Sequence, residues 1–235
     1  MTPEEFTTGS VLLIDKPLHW TSFQAVNKIK WLLKSKLKIK TKVGHAGTLD
    51  PLATGLLIVC TGKKTKSIES YQAQQKEYTG TFYIGATTPC FDLEKEIDFT
   101  FPTEHISETL LHETTKQFVG KIQQVPPIFS AVKVDGKRAY DIARAGGEAI
   151  IKPKEIEIYS FELTRIALPE VDFKVTCTKG TYIRSLARDF GLALNSGAHL
   201  IALRRTKIGD FSVENAFSIE DFQHSIEKLA SEAKI

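Results

Sequence analysis

Cysteine is scarce in this chain. Cys60, Cys90 and Cys177 stand far apart among 235 residues, and no Cys-x-x-Cys pair occurs. An odd, dispersed set supports neither a disulfide framework nor a zinc knuckle. Each cysteine is expected to be a small buried apolar residue, in a protein of the reducing cytoplasm. Long apolar runs are missing too. None approaches the ~18–20 residues of a membrane helix, so no membrane partner is expected. The start, Met1-Thr2-Pro3-Glu4-Glu5, is acidic and lacks the charged and apolar regions of a secretory signal. No proline- or serine-rich linker divides the chain, and no repeat or low-complexity stretch is visible. Neither Gly-x4-Gly-Lys-Ser/Thr nor Gly-x-Gly-x-x-Gly is present, which argues against a nucleotide-binding loop. Apolar residues at 42% and charged residues at 25% exclude a disordered or fibrous chain.

Acid is nearly missing from one long stretch. From Lys16 to Lys66 there are eleven lysines and one carboxylate, Asp50, although the net charge is only +3. Asn27 to Lys42 holds seven of those lysines. From Asp92 to Glu113 the balance reverses, with seven acids and one lysine, Lys95. A block of one sign focuses a field and draws a polyanion, whereas many charge runs are solvated helix faces.

Local pattern gives a coarse fold. Val11–Asp15 reads as a buried strand. Thr21 or Ser22 caps a helix whose inner face is Phe23, Val26, Ile29 and Leu33. Lys36 to Lys42 is a basic connector, and Gly44–Gly55 is a loop followed by a buried strand over Leu56–Thr61. Tyr78–Ile84 alternates as a strand. Thr103–Phe118 is expected to be helical. Ile128–Lys137 reads as a strand entering a turn at Asp135-Gly136, followed by a short helix from Arg138 to Ala145 that stops at Gly146-Gly147. Ile156–Ile166 and Val171–Cys177 are strands. Thr181–Leu194 is a helix with Ile183, Leu186, Ala187 and Phe190 inward, and His199–Lys207 is a last basic strand. Ser218 and Asp221 mark a final helix. Strands and helices mix without a βα repeat, which predicts α+β with a mixed, mostly antiparallel sheet flanked by helices.

Four residues carry possible chemistry, each beside a plainer role. Asp50 lies in the glycine-rich loop, where Pro51 holds it extended. It is a turn residue or a rigidly presented carboxylate. Arg184, in Gly180-Thr181-Tyr182-Ile183-Arg184, is a surface ion-pair former or the partner that keeps a carboxylate ionised. Tyr78 is strand packing or a base-stacking platform. His45 has no second histidine at metal-ligand spacing, so it stabilises the turn or stacks on RNA; no metal site is expected.

Taken together, these segments resemble the TruB family of pseudouridine synthases. The resemblance runs from about Gly9 to Gly209. It includes Gly9–Pro17, the Gly44–Gly55 loop, Lys76-Glu77-Tyr78, Gln124–Lys133, Lys179–Leu186 and Leu203-Arg204-Arg205. It implies the pseudouridine synthase catalytic fold over residues 9–210, and isomerisation of uridine to pseudouridine in RNA, at uridine 55 in the T-arm stem-loop of tRNA. The bond from nitrogen 1 to the sugar breaks, the uracil turns, and carbon 5 takes its place, with no metal or organic cofactor. Asp50 matches the nucleophile. It acts on the base at carbon 6 or on the sugar, and the sequence favours neither. Arg184 matches the arginine paired with that aspartate, Tyr78 the tyrosine that stacks on the uracil, Tyr182 and Leu203 the pocket wall, and His45 a contact to bases around the flipped nucleotide. Lys16 and Pro17 match a motif that supports the loop. Lys36, Lys38 and Lys64 are the expected contacts to the RNA backbone, and a monomer is expected.

Two features depart from the family pattern. Its Thr-Asp-Thr-x-Asp-like stretch after Gly85 is here Ala86-Thr87-Thr88-Pro89-Cys90-Phe91-Asp92, so Asp92 is the one counterpart. Twenty-five residues follow Asp210, too few for the PUA-type RNA-binding domain of many relatives. Residues 211–235 are therefore expected to be a short helical tail with no complete PUA domain. Pure RNA binding, as in a folding chaperone, would not need a lone carboxylate in a basic field.

Overall fold

The computed structural model of the chain describes residues 2–130, 132–134, 136–139, 142 and 150–232. The turn expected at Asp135 and most of the helix expected over 138–145, with its Gly146-Gly147 stop, lie outside these residues. The elements begin with α1 (Pro3–Thr8), β1 (Val11–Lys16), α2 (Ser22–Lys36), β2 (Val43–His45), β3 (Ala53–Thr61), α3 (Ile68–Ala73) and β4 (Lys76–Ile84). There follow β5 (Ala86–Thr87), β6 (Phe99–Thr100), α4 (Glu108–Lys116), β7 (Gly120–Gln124), β8 (Lys133–Val134) and β9 (Lys137–Arg138). The last are β10 (Lys154–Ala167), β11 (Glu170–Cys177), α5 (Ile183–Ala193), β12 (Ala198–Ile208), β13 (Phe211–Ser212) and α6 (Ile219–Glu232). The chain forms two compact units, Met1–Tyr78 with Arg204–Ile235, and Thr79–Leu203. It passes between them within β4 and again within β12.

In the first unit, β3 lies beside β1 and β12, with β2 on β3 and β13 on β12. The β1–β3 ladder is antiparallel, from Val11 opposite Cys60 to Lys16 opposite Gly55. From Leu56 to Thr61 every residue of β3 is buried, because both faces of the strand are covered. One face meets Ala25, Val26, Ile29, Leu32 and Leu33 of α2 and Ile219, Phe222 and Ile226 of α6. The other packs Leu56, Ile58 and Cys60 with Ala46 and Ile208. Burial of each large apolar side chain here contributes roughly 1.5–3 kcal/mol. The expected inner face of α2 needs one correction: Phe23 is 68% exposed. It sits about 120° around the helix from Ile29, whereas Ala25 and Leu33 sit about 40° away.

The glycine-rich loop is shorter than expected. Val43, Gly44 and His45 pair with Thr61, Cys60 and Val59, and β3 already begins at Ala53. The true loop is 46–52. Gly55 takes a left-handed φ of 101°, and a Cβ there would lie 2.3 Å from the Arg205 carbonyl oxygen. Glycine therefore lets β3 and β12 approach closely at the exit of the loop.

The second unit orders its strands β12-β4-β11-β10-β7. β10 pairs antiparallel with both β11 and β7. Its core is aromatic: Phe82 stacks on Phe173 at 4.1 Å, and Phe161 and Phe190 lie 6.2 and 5.7 Å from Phe82. A Cβ on Gly80 would meet the Ala202 carbonyl oxygen at 2.4 Å and the Phe173 ring at 2.8 Å. Ile183, Leu186, Ala187 and Phe190 make the buried stripe of α5. Helix α4 starts at Glu108 rather than near Thr103, because Ser107 Oγ caps it by accepting from the Leu110 N–H at 3.2 Å. After Asp210 the chain forms β13 and a single 3-10 turn before α6, so this segment is more than one helix. Among the described residues no helix is long and apolar enough to cross a membrane.

Candidate active site

The carboxylate of Asp50 belongs to a loop whose carbonyls from Gly47 to Pro51 are all hydrogen-bonded. Ser22, the first residue of α2, accepts from the Leu49 N–H at 2.8 Å and donates to the Leu49 carbonyl at 3.1 Å. Both partners are buried, so these bonds are sheltered from water. Arg205 is 1% exposed and spreads its guanidinium over the loop. Its Nε donates to the Leu56 carbonyl at 2.8 Å, Nη2 to the Gly47 carbonyl at 3.0 Å and Nη1 to the Thr48 carbonyl at 3.5 Å. The planar fork reaches several acceptors at once, which an ammonium cannot do. Downstream, the Ala53 N–H donates to the Asp50 carbonyl at 3.0 Å and the His19 N–H to the Pro51 carbonyl at 2.8 Å. Asp50 is half-buried in the middle of these ties.

Two buried cations, Lys16 and Arg205, share its neighbourhood. Lys16 is fully buried, with Nζ donating to the Pro17 carbonyl at 2.9 Å and the Trp20 carbonyl at 2.5 Å. Burial lowers its pKa to about 8, opposed by the Asp50 and Asp15 carboxylates and reinforced by Arg205. Arg204 makes a two-pronged ion pair with Asp15 at 2.6 and 3.0 Å. His45, at the end of β2, has its pKa lowered by burial, with a Gly47 backbone contact opposing and Arg205 reinforcing the shift. Its Nδ1 is buried without a hydrogen-bond partner. Tyr78 is buried on β4. The first unit thus brings Asp50, His45 and Lys16 together around one loop.

The second unit gathers Tyr182, Arg184 and Asp92. Tyr182 stands at the N-cap position of α5, one residue after the expected helix start. Gln124 of β7 clamps its backbone, accepting from the Tyr182 N–H at 2.8 Å and donating to its carbonyl at 3.1 Å. The Lys154 ammonium lies 4.8 Å from the Tyr182 ring centroid. Arg184 and Asp92 are each 6% exposed, with Nε 3.6 Å from Oδ2. Arg184 also donates to the Cys90 carbonyl at 3.4 Å and the Phe129 carbonyl at 3.1 Å. Asp92 is aimed by its own turn: its Oδ1 accepts from the Glu94 N–H at 2.9 Å, and its carbonyl accepts from Thr88 Oγ1 at 2.6 Å. Phe91 in that turn holds a left-handed φ of 65°. Leu203 is half-buried on β12.

The lysines expected to meet RNA differ in their freedom. Lys36 Nζ is 3.0 Å from Glu227 of α6. Lys38 Nζ donates to the Ser35 carbonyl at 3.0 Å. Lys64 is exposed on the 3-10 turn Gly62–Ser67, beside exposed Lys63 and Lys66. Sequence reasoning gave no role to Gln124, Lys154 or the Ser22 clamp. Gln124 carried a signal, since it opens the Gln-Val-Pro-Pro segment.

Comparison with known proteins agrees with this architecture. Residues 34–183 match the family model of the TruB family pseudouridylate synthase N-terminal domain, and residues 184–234 match that of the tRNA pseudouridylate synthase B C-terminal domain. The chain belongs to the TruB family of pseudouridylate synthases, and it is an isomerase of that class. It is 66% identical over 229 residues to the tRNA pseudouridine synthase B of Flavobacterium johnsoniae, covering 97% of this chain and all of the relative. The protein of that name from Phocaeicola vulgatus is 56% identical over 233 residues, covering 97% of this chain and 99% of the relative. Among solved structures, a Cbf5-Nop10-Gar1 complex contains a chain 29% identical with a TM-score of 0.72, covering 98% of this chain and 63% of that one. An H/ACA RNP bound to a substrate RNA containing 2'-deoxyuridine gives 27% identity and a TM-score of 0.71, covering 100% of this chain and 60% of that one. This chain therefore spans somewhat under two thirds of those solved chains.

Proposed function

We propose that this chain converts uridine 55 in the T-arm of tRNA to pseudouridine, with Asp50 as the nucleophile. The observation that carries the proposal is the Asp50 loop: a lone acid of a lysine-rich stretch, held by Ser22 and Arg205 and facing the charge of buried Lys16. A carboxylate so fixed is oriented before substrate arrives. The relatives in which nearly the whole chain aligns bear the name tRNA pseudouridine synthase B, which supports tRNA as the substrate.

The reaction is an isomerisation. The bond between nitrogen 1 and the sugar breaks, the bond from carbon 5 to the sugar forms, and the proton of carbon 5 leaves as nitrogen 1 gains one. No electrons are gained or lost, so the proposed chemistry calls for no redox cofactor. The uridine is first flipped out of the folded RNA, at a cost of a few kcal/mol. Lysine contacts to phosphate from Lys36, Lys38 and Lys64 offset that cost. By the family resemblance, Tyr78 stacks on the uracil, Tyr182 and Leu203 wall it, Arg184 supports the nucleophile, and His45 contacts neighbouring bases. A neutral His45 with a free ring nitrogen suits hydrogen bonding to a base edge.

Asp50→Asn tests the assignment. It keeps shape and most hydrogen bonding but removes charge and nucleophilicity. Pseudouridine mapping on unmodified tRNA transcript, alongside a filter-binding curve, is expected to show retained binding and conversion below detection. Conversion near the parental rate would show that Asp50 is not the nucleophile. Conversion at a uridine other than 55 would remove the site assignment while leaving the activity.

A further inference from the structure

The solvent side of α2 and its C-terminal turn carry a cluster of which the proposed function uses Lys38 alone. Lys28, Trp31, Lys34, Ser35 and Lys38 recur at spacings of three and four, which puts them on one stripe. Trp31 lies about 200° around the helix from buried Ile29. It is 53% exposed, with the Lys28 ammonium 5.1 Å from its ring centroid. Trp31, Lys34, Ser35, Lys38 and Lys40 line a surface pocket of about 470 Å³. This described lining holds three lysines and no acid.

Two further details mark the pocket as shaped for a ligand. Ser35 Oγ is buried there and has no hydrogen-bond partner, a state that costs stability unless something else supplies one. Lys38 has a left-handed φ of 60°, a conformation that glycine takes without penalty and lysine does not. A long cationic side chain stands where an uncharged glycine would fit the backbone better.

We infer that this pocket takes one unpaired nucleotide of the substrate RNA, its base stacked on Trp31 and its phosphate among Lys34, Lys38 and Lys40. Indole offers a flat, sequence-tolerant platform, and spaced ammonium groups follow a phosphate chain. The Ser35 hydroxyl donates to a phosphate or ribose oxygen and so gains its partner. The inference rests on RNA being the substrate. An open helix face with spaced lysines and no glycine-rich cradle suits a strand of RNA better than a free nucleotide.

The test uses the full chain. In a Trp20→Phe background Trp31 is the remaining tryptophan, and its emission reports stacking. Titration with unmodified tRNA transcript and with a uridine octanucleotide is expected to quench that emission, with saturation. Fluorescence anisotropy with labelled tRNA provides a second readout in the otherwise unaltered chain. There, Trp31→Ala is expected to weaken binding about ten-fold, Trp31→Phe to stay within about three-fold of the parent, and Lys34→Glu with Lys40→Glu to weaken it at least as much as the alanine. Thermal midpoints report folding of each variant. Unchanged emission at saturating tRNA, with Trp31→Ala binding like the parent, overturns the pocket and leaves the proposed activity standing. Quenching and weakened binding without any pseudouridine formed by the parent would support the pocket and remove the proposed activity. A parent that binds no RNA overturns both.

Discussion

Arg184 and Asp92 come from distant parts of the chain and meet in a buried pair at 3.6 Å. Asp92 stood out in the sequence only as the remnant of an altered acidic stretch. Its carboxylate faces an arginine that also donates to the Cys90 and Phe129 carbonyls. A buried guanidinium that loses a facing carboxylate keeps its desolvation cost with less compensation. Asp92→Asn retains the bond from the Glu94 N–H but removes the charge. It is expected to lower stability by about 1–3 kcal/mol in urea unfolding and to cut turnover at least ten-fold. Replacing both partners by apolar residues, Asp92→Leu with Arg184→Met, is expected to recover much of the stability and none of the turnover. Parental stability and turnover in Asp92→Asn would deny the pair any role. The placing of Asp50 in a tight loop was legible from sequence, because glycines and Pro51 surround a lone acid among eleven lysines. The Arg184–Asp92 pair was not, because residues brought together only by tertiary folding leave no mark in spacing.

At the scale of elements, Thr21 and Ser22 show how two adjacent hydroxyls divide. Both are plausible caps of α2 by residue type, and pattern alone did not separate them. Thr21 takes the cap: its Oγ1 accepts from the Gln24 N–H at 3.1 Å, and Gln24 Oε1 accepts from the Thr21 N–H at 2.7 Å. Ser22, one position into the helix, turns to the Leu49 backbone beside Asp50. The strands were legible because period-two alternation and apolar runs are local, as in β4 and β11. The true ends of the 46–52 loop were not, because Gly44 and His45 become strand only by pairing with β3. These separate jobs predict separate phenotypes. Thr21→Ala is expected to cost about 1 kcal/mol of stability with turnover kept. Ser22→Ala leaves the buried Leu49 N–H and carbonyl unpaired. It is expected to cost about 2–3 kcal/mol and to lower kcat at least ten-fold, because the neighbouring carboxylate loses its anchor. Equal effects of both substitutions on kcat at saturating RNA would show that the Ser22 clamp does not position Asp50.

For the molecule as a whole, the small net charge hides a strong division of sign along the chain. The structure adds what the sequence could not: which lysines are already engaged. Lys36 faces Glu227 at 3.0 Å, a pairing across α2 and α6 that no local pattern announces. Lys38 keeps an exposed side chain bonded to a neutral carbonyl. Lys64 is exposed on its turn. For an RNA ligand, each phosphate neutralised by lysine releases counterion, and the logarithm of affinity falls with the logarithm of salt by about 0.7–0.9 per contact. Replacing Lys64 or Lys38 by glutamine is therefore expected to flatten that dependence by about 0.7–0.9 each. Lys36→Gln is expected to flatten it by less than half as much, because its ammonium must leave Glu227 before it can take a phosphate. Glu227→Gln frees Lys36 and is expected to strengthen binding and steepen the dependence. Anisotropy titrations of tRNA between low and physiological salt measure all four. If Lys36→Gln flattens the slope as much as Lys64→Gln, the Glu227 pair does not compete with RNA. If none of the four alters it, the RNA path avoids these side chains.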